Sequence, residues 1–301
     1  MKKTLLGLLG LLMVWSCGNS GINANNGGKE LKGEIIIDGS STVAPISSAV
    51  AEEFFRENRN VNIAIGISGT GGGFKKFAVG EIDIANASRK IKEKEAKEAK
   101  KNGVEYIELQ VALDGIAVVV NKENTWAQEL TEEDLKKIWE NGSKIMNWKE
   151  INPSWPSEVI KLYGPDQDSG TFDYFVEEIL GKDGQIRIDY SPSSDDNQLV
   201  QGVEGDKGSL GFFGYAYYIE QKDKLNAVAV NGVRPTDETV KTGKYKPLSR
   251  PLYIYVNKKS LKEKPEVRAF VEYYLKNASK AVKLTGYVPL SDYTKQLELI
   301  K

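Results

Sequence analysis

A chain of 301 residues is long enough for two α/β lobes, each with its own core, and a formal net charge of −1 gives no global pull toward nucleic acid or an anionic membrane. There is no histidine, and Cys17 is the single cysteine, which excludes Ser-His-Asp and Cys-His nucleophile arrangements, histidine or cysteine-cluster metal sites, and an intrachain disulfide. An anion bound by this chain has to be held by local groups.

Lys2 and Lys3 precede an apolar run, Leu5 to Val14, of 10 residues, about half of what a membrane-spanning helix needs. Ser16-Cys17-Gly18 follows as a small-residue cleavage signal. Residues 1–16 therefore read as a lipoprotein signal peptide with Cys17 as the lipidated first residue, although Trp15 is bulky for that position. Gly18 to Gly33 is rich in Gly and Asn and reads as a flexible tether, so 17–33 links lipid to folded body.

From Glu34 onward strands alternate with helices, the pattern of an α/β protein. Strands are expected at 34–38, 61–67, 82–87, 111–121, 159–164, 209–213 and 252–256. Helical spacing of apolar residues occurs at 47–58, 171–180, 195–203 and 265–275, and a helix is expected to open near Gly72. Lys92–Asn102 is a polar helix whose charges read as a solvated face. Thr131…Asp134 resembles a capping box opening a helix that stops at Gly142.

Three segments share one arrangement: a strand, a turn of small polar residues, then a helix. They are Asp38-Gly39-Ser40-Ser41-Thr42-Val43, Ser68-Gly69-Thr70-Gly71-Gly72-Gly73 and Asp166-Gln167-Asp168-Ser169-Gly170-Thr171. A helix start presents unpaired N–H groups and a positive dipole end, glycine admits a close ligand, and Ser/Thr hydroxyls add donors. A fourth segment, Ala85-Asn86-Ala87-Ser88-Arg89, brings a guanidinium suited to a tetrahedral oxyanion. Gly69–Gly73 is not a P-loop, because no Gly-Lys-Ser/Thr follows, and not a dinucleotide fingerprint, because the spacing is wrong.

At these residues the sequence resembles the PstS-type phosphate-binding proteins of bacterial ABC importers. The matching blocks are 38–47, 68–91, 114–121, 162–175 and 195–218, in family order. The resemblance implies a two-lobed periplasmic-binding-protein fold (type II) with the ligand in the cleft between lobes. Lobe one would be 34–113 plus 256–301 and lobe two 114–255, with crossings near Leu113–Ala117 and Arg250–Tyr255. It also implies extracytoplasmic capture of inorganic phosphate for ABC permease subunits with a cytoplasmic ATPase. The protein would be monomeric and lipid-anchored to the membrane, with no cofactor, no nucleic acid and no enzymatic activity. Carried over by motif, the phosphate ligands are Ser41, Thr42, Val43, Thr70, Gly71, Ser88, Arg89, Ser169, Gly170 and Thr171. Two departures stand out. Gly164-Pro165-Asp166 carries no cation before the SGT turn, which would leave Arg89 as the one formal positive charge. Ser88 stands where some members have an aspartate that takes the proton of monohydrogen phosphate; Asp114 and Asp168 are the candidate replacements. The alternatives are another oxyanion (sulfate, molybdate or tungstate) on the same fold, a phosphatase, or an adhesion lipoprotein that has kept the fold.

Overall fold

The computed structural model describes residues 30–167 and 169–301. The expected signal peptide, Cys17, the expected tether up to residue 29 and Asp168 lie outside the described residues. The first half runs β1 (Gly33–Gly39), α1 (Ala44–Glu57), β2 (Val61–Ile65), α2 (Gly69–Ala78), β3 (Ile84–Ala87), α3 (Glu93–Lys101), β4 (Tyr106–Asn121), β5 (Glu129–Leu130), α4 (Glu132–Trp139), α5 (Trp148–Ile151) and β6 (Lys161–Pro165). Next come α6 (Gly170–Phe175), which runs into a π turn over Val176–Leu180, then β7 (Ser191–Ser193), α7 (Asp196–Glu204), β8 (Ser209–Gly214) and α8 (Tyr215–Glu220). The chain ends with β9 (Leu225–Ala227), β10 (Ala229–Val230), α9 (Asp237–Lys241), β11 (Ser249–Asn257), α10 (Lys258–Glu263), α11 (Pro265–Leu284) and α12 (Thr294–Glu298).

The main sheet has the order β2-β1-β3-β11-β4-β8-β6-β7, with β9 also on β4. β4 holds it together. It pairs antiparallel with β11 from Tyr106 to Gly115, then changes partner and pairs with β8 from Ile116 to Val120. The buried apolar side chains gather on either side of this switch. One cluster includes Ile35, Ile46, Phe54, Leu109, Ile254, Phe270 and Tyr274. The other includes Val118, Trp139, Trp148, Phe175, Phe212 and Tyr245. Each side therefore has its own core, as a two-lobed fold requires.

The helices form where the sequence gives one apolar stripe. On α1 the buried residues Ile46, Val50, Ala51 and Phe54 recur at helical spacing, and Pro45 sits in the first turn where its missing N–H costs nothing. On α11 Val267, Phe270, Val271, Tyr274, Leu275, Ala278 and Val282 do the same. The two helices meet with Phe54 edge-on to Phe270 at 5.4 Å between ring centroids. In the other core Phe212 stacks on Phe175 at 3.8 Å and meets Trp139 edge-on at 4.9 Å. Burying each such ring contributes about 2–3 kcal/mol.

Several elements are longer than expected. α1 begins at Ala44 rather than 47 and α2 at Gly69 rather than 72, which draws both polar turns into the helix starts. β11 begins at Ser249 rather than 252, which places Arg250 in the sheet opposite Asp114. The apolar stretch 171–180 divides into α6 and the π turn.

Candidate anion-binding site

The first turn is fixed by a buried carboxylate. Asp38, at the end of β1 and 5% exposed, accepts hydrogen bonds from the N–H of Gly39 at 2.6 Å and of Ser68 at 2.9 Å, and pairs with the Lys76 ammonium of α2. Burial pushes this carboxyl up, but Lys76, Ser68 and Gly39 outweigh burial and hold it below the usual carboxylate range. One side chain thus ties the 38–43 turn to the 66–71 turn. Gly39 adopts φ 136°, and a Cβ there would lie 2.2 Å from the Asn86 carbonyl oxygen, so only glycine lets the first turn lie against β3. Replacing Asp38 by alanine strips two backbone donors of their acceptor. The expected cost is about 2–3 kcal/mol in chemical denaturation, together with weaker anion binding. The contribution of Asp38 to stability is present above its unfolded pKa of 3.8 and is lost as pH falls through the lower folded value, so the wild type and Asp38→Ala curves should converge in acid.

Ser41, Thr42, Thr70, Gly71, Ser88 and Arg89 all line one cleft of about 760 Å³. The second and fourth segments are joined there: Thr70 Oγ1 lies 3.0 Å from Ser88 Oγ and accepts from the Ser88 N–H at 3.1 Å. Val43 differs. Its side chain is fully buried in the core beneath the turn, so only its backbone is available.

The cation expected to stand alone has its charge matched already. The Arg89 guanidinium donates to both carboxylate oxygens of Glu95, at 2.9 and 2.8 Å, and to the Lys90 carbonyl at 3.1 Å. The hydrogen bond to Glu95 holds Arg89 above its usual pKa. Burial raises the Glu95 carboxyl, but Arg89 and the Lys92 N–H bring it below normal.

A second guanidinium, not among the expected ligands, stands in the same cleft and corrects the expectation of a single positive charge. Arg250 on β11 donates from Nη2 to Thr42 Oγ1 at 3.3 Å and from Nε to Asp114 Oδ2 at 3.3 Å, and lies 3.6 Å over the Tyr174 ring. Its side chain is 14% exposed and that of Asp114 2%. Tyr174 is itself anchored by a 2.6 Å hydrogen bond to the Pro247 carbonyl. Arg250 therefore touches the first turn, the buried Asp114 carboxylate of β4 and the Tyr174 ring of α6 at once. Its residue type carried no turn or helix-start signal. The available clue was a lone arginine at the head of an apolar strand within the expected crossing.

The Ser169-Gly170-Thr171 turn opens α6, with Ser169 Oγ capping the Thr171 N–H at 3.2 Å. Ser169, Gly170, Thr171 and Asp114 line a smaller polar cavity of about 150 Å³ next to the cleft. The two spaces meet where Gly170 abuts Thr42: a Cβ on Gly170 would lie 3.0 Å from Thr42 Oγ1. Burial pushes the Asp114 carboxyl up; Arg250 and the Gly115 N–H oppose this without cancelling it. The far wall of the cleft carries Asp173, Tyr174, Glu177 and Glu178, where burial raises Asp173 and Glu178.

Residues 24–278 match the PBP superfamily domain. The Staphylococcus saprophyticus protein named phosphate-binding protein PstS is 43% identical over 292 residues, covering 95% of this chain and 89% of its own. This chain belongs to the PstS family. Protein SphX of Synechococcus elongatus is 51% identical over 263 residues, covering 85% of this chain and 77% of its own. A crystal structure of "a possible phosphate binding protein" from Planctomyces limnophilus superposes with a TM-score of 0.86 at 47% identity, covering 90% of this chain and 98% of that one. The fold is thus the two-lobed binding-protein fold of this family.

Proposed function

We propose that this protein captures inorganic phosphate outside the cytoplasm for delivery to an ABC importer. The observation that carries this reading is the convergence of the 38–43 and 68–73 turns, Ser88 and Arg250 on one cleft, with the Ser169–Thr171 turn lining the adjoining cavity. The names of its relatives, phosphate-binding protein PstS among them, support the choice of phosphate. Arg250 joins Ser41, Thr42, Val43, Thr70, Gly71 and Ser88 as a ligand from one side, with Ser169, Gly170 and Thr171 closing from the other. Lobe one is 34–113 plus 256–301 and lobe two 114–255, hinged at β4 and β11. Asp114 is the acceptor that sets phosphate apart from sulfate, since a buried carboxylate facing an anion with no proton to share is costly. Micromolar binding needs about 8 kcal/mol, and hydrogen bonds to a charged group contribute roughly 1.5–3 kcal/mol each, so six to ten donors suffice after ordering costs.

The role is binding, not catalysis: Ser169 Oγ is occupied as a helix cap, and the chain has no histidine to serve as its base. Residues 1–16 act as the leader and Cys17 carries the lipid; the mature protein works as a monomer. Isothermal titration with phosphate, sulfate and molybdate tests the whole reading. Phosphate is expected to bind at micromolar strength, and no heat at millimolar phosphate would sink it. Because Arg89 is matched by Glu95, Arg89→Ala should weaken phosphate binding by less than about tenfold; a larger loss would make Arg89 a direct ligand.

A further inference from the structure

The 150 Å³ cavity holds a second carboxyl, Asp196, facing the same Ser169–Thr171 turn as Asp114. Asp196 is the first residue of α7. Its neighbour Asp195 does the capping there, accepting from the Asn197 N–H at 2.9 Å. Among the described residues the half-buried Asp196 carboxyl accepts no hydrogen bond and has no cation beside it. Arg250, the partner of Asp114, is committed to Asp114 and Thr42.

We propose that Asp196 is a further ligand of the anion and acts as a neutral acid: capture of the anion draws a proton from solvent onto the Asp196 carboxyl, whose O–H then donates to an anion oxygen. This rests on the Ser169–Thr171 turn being part of the anion site. Burial, and then the charge of Asp195, push Asp196 up to about 6. A chain without histidine has no imidazole to titrate in that range, so this carboxyl occupies it. The groups around it are Asp195 on its own helix, Asp114 from β4, Tyr217 from α8 and Tyr287 from the segment after α11. Burial raises both tyrosines, so they stay neutral, and the charged neighbours are acids. A dianion entering this cavity adds negative charge and pushes the Asp196 carboxyl further up. The side chain is then ionised in the free protein near neutrality and protonated in the complex. Affinity should fall with rising pH above about 6, by up to about tenfold per pH unit.

The experiment is titration of phosphate into the full-length chain at about pH 7.5 in two buffers of different ionisation enthalpy, for wild type and Asp196→Asn. The difference between the two proteins cancels the ligand's own titration. On binding, wild type should take up at least about half a proton more than Asp196→Asn does, and Asp196→Asn should bind more tightly than wild type at about pH 8. Equal proton uptake and parallel pH curves would overturn the proposal. Asp196→Ser gives the same readout if the asparagine variant does not fold. Ser169→Ala and Thr171→Ala separate the two claims: wild-type affinity in both would remove the turn from the site, whereas weakened binding with no Asp196-dependent proton would overturn the role of Asp196 alone.

Discussion

Replacing Arg250 by methionine should weaken phosphate binding about 100-fold, the loss of about 3 kcal/mol expected when one or two charge-assisted hydrogen bonds disappear from a site closed to water. The same change should also destabilise the protein, for a separate reason. Asp114 is 1% exposed and Arg250 is its partner across the β4–β11 pair, so the substitution leaves a buried carboxyl without its cation. Removing one member of a buried pair costs roughly 3–5 kcal/mol. The two effects can be pulled apart. In the double variant Asp114→Asn/Arg250→Met the buried charge is gone, so most of the lost stability should return on urea denaturation while the affinity does not. Recovery of both would mean that Arg250 serves the fold alone. Recovery of neither would mean that the methionine fails to pack against Tyr174, whose ring lies 3.6 Å beneath the guanidinium. Titration calorimetry on the refolded double variant decides between these.

Arg250 also marks the limit of what the sequence discloses. The polar turns were legible because their chemistry is local: small residues between a strand and a helix start announce donors wherever the chain goes. The alternation of strands and helices, and the long apolar run through Asp114-Gly115, were legible for the same reason. What composition and spacing do not carry is register. Arg250 becomes a site residue only because β11 pairs with β4 so that position 250 faces position 114, while Thr42 approaches from a turn 208 residues away in the chain. Asp38 is similar. Its place in the Gly/Ser/Thr motif was visible, but its task of joining two turns through the Ser68 N–H depends on β1 and β2 being parallel neighbours. Arg89 shows the converse: its residue type suits an oxyanion, but spacing does not disclose its pairing with Glu95, six residues on and reached by the turn into α3.

Gly170 offers the other large effect, because the Ser169–Thr171 turn meets the first turn there. A Cβ at this position would lie 3.0 Å from Thr42 Oγ1 and 3.2 Å from Thr42 Cα, and the second of these is backbone that cannot swing aside. The overlap exists only while the SGT turn sits against the first turn. An opened cleft relieves it, so Gly170→Ala should leave the unfolding curve of the phosphate-free protein nearly unchanged. Closure over the ligand then carries the whole penalty. Overpacking of this kind costs about 1–3 kcal/mol, which predicts an affinity lower by about 10- to 100-fold for alanine and a larger loss for valine. The deficit should appear mainly in the dissociation rate, since a cleft that cannot seat Gly170 on Thr42 still admits the anion but holds it poorly. Small-angle scattering supplies the structural readout: on saturation with phosphate the wild type should contract and Gly170→Val should contract less. A valine variant with wild-type affinity and full contraction would show that the contact between Gly170 and Thr42 is not part of the closed, ligand-holding state.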